Sequence, residues 1–189
     1  MSYFEKQVGS KCAIHALNHI FQAPLVGDRS YLTNAKYNIQ EIDKQCIIDE
    51  LSLISDDVPR EQELEKEKKF AVTRSGNYSL NSMLRVLKAE SFMTRWVSGI
   101  CTRTYLSTIC TTPSLQSTRI LFVTNNHYTV GQFIQRGTNI PQWYHFDSKR
   151  GVRPLCGNSS ILKQIRQCIL VFPRDIHHDI ENILRDSQN

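Results

Sequence analysis

The chain has 189 residues, enough for one well-cored domain and cramped for two. Hydrophobic residues make up 40% and charged residues 22%, an ordinary composition for a soluble globular protein, and no apolar run approaches the roughly 20 residues of a membrane span. The net charge of +5 is scattered, with no window concentrating lysine and arginine, so it implies a mild basic bias and no dedicated nucleic-acid site.

The opening MSYFEKQVGSKC has no apolar h-region, so it is not expected to be a signal peptide. The six cysteines (12, 46, 101, 110, 156 and 168) include no CxxC pair and are expected to be free thiols in a reducing compartment, the cytoplasm or the nucleus. Residues 12–21 have the pattern of a helix. Ile39, Ile42, Cys46, Ile47 and Leu51 recur at helical spacing, and EQELEKEKK carries Glu65 and Lys69 four apart. With Asp57-Val58-Pro59 breaking the two patterns, residues 28–75 are expected to form a helical hairpin arm. Ser79 has the chemistry of an N-cap for SLNSMLRVLKAE, whose Leu80, Met83, Leu84 and Leu87 make one apolar stripe. SFMTRWV, RILFVT, HYTVGQFI, QWYHFD and CILVFP are short, β-branched and aromatic, hence strands. The Ser/Thr-rich stretch 102–118 suggests a helix-plus-loop connector, and SSILKQIRQ a helix. Helices followed by a mostly antiparallel sheet indicate an α+β fold, with domain 1–175 and a polar C-terminal tail, 176–189.

Cys12 admits three readings. On a helical wheel Ala13, Ile14, Ala16, Leu17, Ile20 and Phe21 fill one face, while Cys12, His15, Asn18 and His19 fill the other, with Cys12 near the boundary. That placement weakens its reading as an apolar filler. Cys12, His15 and His19 are all metal-ligand types, but zinc takes four ligands, or three plus water, and no second cluster supplies the rest. The pair His177-His178 lies in the polar tail. No metal and no cofactor is expected. As a nucleophile, Cys12 would sit at the positive end of the helix dipole, which favours thiolate. Gln7, five residues upstream, could join the Cys12 backbone N–H around one carbonyl oxygen.

A thiolate also needs an imidazole and a group to orient it. His127 begins HYTVGQFI and Asp147 ends QWYHFD. A hairpin closed around Gly137 would set these two directly opposite and on one face, whereas a one-residue slip would separate them. His145, two residues earlier on that face, would oppose Thr129 and is the weaker base candidate because no carboxylate faces it.

At these residues the sequence resembles the Josephin family, papain-like cysteine proteases that act on ubiquitin. The likeness begins in YFEKQVGSKCAIHALNHIFQ, with a glutamine five residues before the cysteine and CxxHxLN opening the first helix. It continues in GNYSLNSMLRVLKAE, NHYTV, WYHFDSK and CILVFP, in order, across residues 3–173. It implies a papain-like α+β fold with an N-terminal catalytic helix and a protruding helical hairpin. It also implies hydrolysis of the isopeptide bond after ubiquitin's C-terminal glycine. By position, Cys12 matches the nucleophile, His127 the general base, Asp147 the orienting residue and Gln7 the oxyanion-hole amide. Tyr128 stands where the family often has tryptophan; with Trp143 and Tyr144 it could wall a channel for the Gly-Gly tail, or pack in the core. The expected partner is ubiquitin or ubiquitinated protein, met by a monomer that is a minimal, free-standing catalytic unit. Two alternatives stay open: a non-catalytic ubiquitin-binding module, and a papain-like thiol hydrolase acting on another ubiquitin-like modifier or a peptide.

Overall fold

The computed structural model describes residues 3–52, 78–98, 102–124, 127–134, 142–155 and 167–186. Helix α1, Cys12–Phe21, contains no glycine or proline and is buried at every position from Cys12 to Ile20. It stops where Gln22 takes a left-handed φ of 56°, with Pro24 close behind to prevent continuation. A two-residue parallel pair, β1 (Val26–Gly27) and β2 (Tyr37–Asn38), leads into α2, Ile39–Ser52. This is the first half of the expected arm, and it packs along α3, Leu80–Ala89, through Asp43, Asp49 and Glu50. The second helical pattern of the arm lies outside the described residues, as does SSILKQIRQ up to residue 166. The expected N-cap is present: the Ser79 side chain accepts from the Ser82 N–H, and the Ser79 N–H donates to Asp43 at 2.9 Å.

All five segments with strand character are strands: β3 (Phe92–Ser98), β4 (Arg119–Thr124), β5 (His127–Ile134), β6 (Gln142–Asp147) and β8 (Gln167–Pro173). A sixth, β7 (Gly151–Pro154), extends the sheet by pairing with β6. The order is β3-β8-β4-β5-β6-β7, and every pairing in it is antiparallel. Strict alternation splits the sheet's side chains between two cores. Leu121, Val130, Phe146, Ile169 and Val171 pack with α1 and α3. Ile120, Phe122, Cys168, Leu170 and Phe172 pack on the other face with α4 (Thr102–Thr111) and α5 (His177–Asp186). The fold is α+β, as expected.

Two expectations need correction. The stretch expected to be a polar tail contains α5, whose Ile180 and Leu184 are buried beneath the sheet. The register of β5 against β6 also differs: Val130 pairs with Phe146 and Gly131 with His145, two residues away from a hairpin centred on Gly137. A two-residue displacement preserves the face of every side chain, where a one-residue displacement would invert it.

Candidate active site

The buried start of α1 is held from outside by an ion pair. Lys11, immediately before the helix, reaches Asp28 at 2.5 Å and the Ser30 hydroxyl at 2.7 Å, and the Tyr78 hydroxyl donates to the same carboxylate at 2.6 Å. No side chain caps this end of the helix. Cys12, its first residue, is 4% exposed.

His127 opens β5 and Asp147 closes β6. The displaced register makes them diagonal neighbours on one face instead of direct opposites, close enough for interaction across the ladder. His127 Nε2 lies 3.0 Å from Asp147 Oδ1. The carboxylate is steadied by the backbone N–H groups of Lys149 at 2.9 Å and Arg150 at 3.3 Å. With Nε2–H donating to Asp147, Nδ1 is the bare nitrogen of the neutral ring; it is buried and has no partner at ordinary hydrogen-bond geometry.

The three groups shift one another's titration. Burial pushes the Cys12 thiol up, but His127, the Tyr128 backbone N–H and the charge of Lys149 outweigh it and leave the thiol below its ordinary 9.0. Interaction with Cys12 is the largest influence on His127. Burial opposes it and Asp147 reinforces it, so the imidazole lies above its ordinary 6.5. Burial raises Asp147, but the His127 ring and the two backbone donors bring it below 3.8.

Gln7 is tied to the same end of the sheet. Its backbone N–H donates to the Ser148 carbonyl at 2.8 Å, and the Ser148 hydroxyl donates to its side-chain oxygen at 2.9 Å. One amide hydrogen donates to the Gly9 carbonyl at 2.6 Å, in a turn where Gly9 takes a positive φ of 61°. The amide group has a second hydrogen.

The other histidines are occupied differently. His145 lies opposite Gly131, reaches diagonally to the Thr129 hydroxyl at 2.8 Å, and packs edge-on against Phe122. Burial pulls its pKa down to about 4, so it stays neutral. His15 and His19 bind the segment before the helix, at Glu5 and Val8. Among the described residues, no group of three or more His, Cys, Asp or Glu is placed to hold a metal ion. His177 stacks on Phe172. Of the three aromatics, Trp143 is buried in the core beside α4 and α5, while Tyr128 and Tyr144 are half-buried against the core around α1.

Sequence reasoning missed Glu5, Ser148 and the Tyr128 backbone N–H. Ser148 and Tyr128 act through groups that any residue, or any hydroxyl, could provide. Glu5 carried no sequence signal: only the structure shows that the helix is buried on its polar face too, where His15, Asn18 and His19 require polar partners.

Papain-like cysteine hydrolases are the class in which an antiparallel sheet delivers an imidazole and its orienting partner to a thiol on a helix. A family model described as Josephin matches residues 7–169, most of the chain, and the chain belongs to the Josephin family. The family is one of deubiquitinase-type cysteine proteases. Comparison with curated proteins gives no match.

Proposed function

We propose that this protein is a thiol isopeptidase that cleaves after the C-terminal glycine of ubiquitin through a thioester. The observation that carries the reading is the coupled set of Cys12, His127 and Asp147, with the thiol lowered and the imidazole raised by each other. In the resting pair the proton resides on His127 and Cys12 is thiolate. The sulfur attacks the glycine carbonyl carbon, and the carbonyl electron pair moves onto oxygen. The Cys12 backbone N–H and the second amide hydrogen of Gln7 receive that oxyanion. As the oxyanion collapses, the C–N bond breaks and His127 gives its proton to the departing lysine amine. Neutral His127 then takes a proton from water, whose oxygen attacks the thioester. Collapse expels the thiolate and releases the glycine carboxylic acid, which gives its remaining proton to solvent, so that thiolate and imidazolium are restored. Asp147 holds the ring with Nδ1 towards the sulfur throughout.

The test is turnover of ubiquitin–aminomethylcoumarin under reducing conditions. The wild type should be active and Cys12→Ala should not. A folded, reduced wild type without turnover would overturn the reading.

A further inference from the structure

One charged group near the site takes no part in that chemistry. Glu5 lies two residues before Gln7, with its side chain only 10% exposed. A buried carboxylate is costly unless its lone pairs are satisfied, and here four donors converge on it. Oε1 receives His15 Nδ1–H at 2.6 Å and Asn18 Nδ2–H at 3.0 Å. Oε2 receives the hydroxyls of Tyr3 and, at 3.1 Å, Tyr31. Burial raises the carboxyl, but the bonds from His15, Tyr3 and Asn18 outweigh it and hold the group below its ordinary range.

The connections around this carboxylate straddle Gln7. The Val8 N–H donates to His15 Nε2 at 3.1 Å, which fixes the tautomer that offers Nδ1–H to Glu5. The Glu5 N–H donates to His19 Nε2 at 3.3 Å, and burial drives the His19 pKa down to about 4, so this ring remains an acceptor. Segment 3–8 is thus fastened to the polar face of α1 on both sides of Gln7. Gln7's own N–H completes the fastening at Ser148. None of these bonds involves Cys12, His127 or Asp147.

We propose that Glu5 is a positioning residue: through His15 and Val8 it fixes where the Gln7 amide stands relative to the nucleophile. This rests on the function proposed above. The requirement is reach and acceptor geometry, not charge at the reacting atoms. Glu5→Asp keeps the charge but withdraws the carboxylate by one methylene. Glu5→Gln keeps the reach and the amide oxygen that receives His15 and Asn18. The two variants therefore separate geometry from charge, and neither opens a large cavity.

The experiment measures kcat and KM for ubiquitin–aminomethylcoumarin, with the pH dependence of iodoacetamide alkylation at Cys12 followed by peptide mass. Alkylation needs the thiolate but no oxyanion donor. Glu5→Asp should lower kcat by about 10- to 100-fold, the order expected for a misplaced group, with KM within about twofold. Its alkylation profile should match wild type. Glu5→Gln should retain kcat within about threefold. Wild-type kcat in Glu5→Asp, or a greater loss in Glu5→Gln than in Glu5→Asp, overturns the proposal. So does an alkylation profile that shifts along with kcat, since the change would then have reached the thiol pair. A wild type without turnover refutes the isopeptidase reading itself, so the two failures are distinguishable.

Discussion

The thiol of Cys12 and the imidazole of His127 move each other in opposite directions, and this sets the pH dependence. Loss of activity on the acid side should follow protonation of the thiolate, below 9.0; loss on the alkaline side should follow deprotonation of the imidazolium, above 6.5. A bell-shaped kcat/KM profile with those two limbs is the expected outcome. Asp147→Asn should narrow it from the alkaline side, because the carboxylate helps keep His127 protonated. His127→Ala and Asp147→Ala should both lose turnover, the aspartate variant less completely. His145→Ala should keep it, since that ring is neutral and bound to Thr129; an inactive His145→Ala would reassign the base. Asp28 gives a separate acid signature. Burial raises it, but Lys11, Tyr78 and Ser30 bring it from 3.8 to about 2. Its contribution to stability is complete above 3.8 and disappears as pH falls towards 2. Asp28→Asn should lower Tm near neutral pH and flatten the decline of Tm across that interval.

The helix and the hairpin that meet at the site differ in how far their sequences specify them. CAIHALNHIF has an unbroken helical pattern between turn chemistry at Gly9-Ser10 and Pro24, and its ends fall where expected. Its polar face gave no such guidance: the wheel separates it from the apolar face, but both are buried. Asn18 exchanges two hydrogen bonds with the Val26 backbone, at 3.0 and 2.8 Å, and Glu5 takes the rest. Alternation in HYTVGQFI and QWYHFD identified which side chains share a face, because that depends only on parity. It left the register open to a shift of two, which parity cannot detect, and a turn glycine was an insufficient marker. The joints between elements are also testable. A Cβ on Gly27 would stand 2.1 Å from the Leu32 carbonyl oxygen and 2.6 Å from that of Tyr31, both backbone atoms. Gly27→Ala should therefore displace the loop that carries Asp28, with a lower Tm in thermal melts. Ser79→Ala removes the cap of α3 and the hydroxyl bound to Asp43, a loss of about 1–2 kcal/mol in urea denaturation.

The six-stranded sheet separates two cores, and the proposed chemistry sits at one end of it, where α1 begins, β5 starts and β6 finishes. The far core is closed by α5, a helix hard to identify from HHDIENILRD because three apolar residues stand among mostly charged and polar ones. Leu184→Ala should cost about 2–3 kcal/mol in urea denaturation, as expected for truncating a packed leucine, while kcat stays at the wild-type value. That separation of stability from activity is expected because Leu184 packs in the core shared with α4, while α1 packs in the other core. The proposed reaction itself is tested most directly by reacting the reduced protein with ubiquitin bearing a C-terminal electrophile and locating the product by peptide mass. One ubiquitin per chain is expected, bound at Cys12, with bonding slowed strongly in His127→Ala. No adduct, or an adduct at Cys46, Cys110 or Cys168 instead, would contradict the proposed reaction.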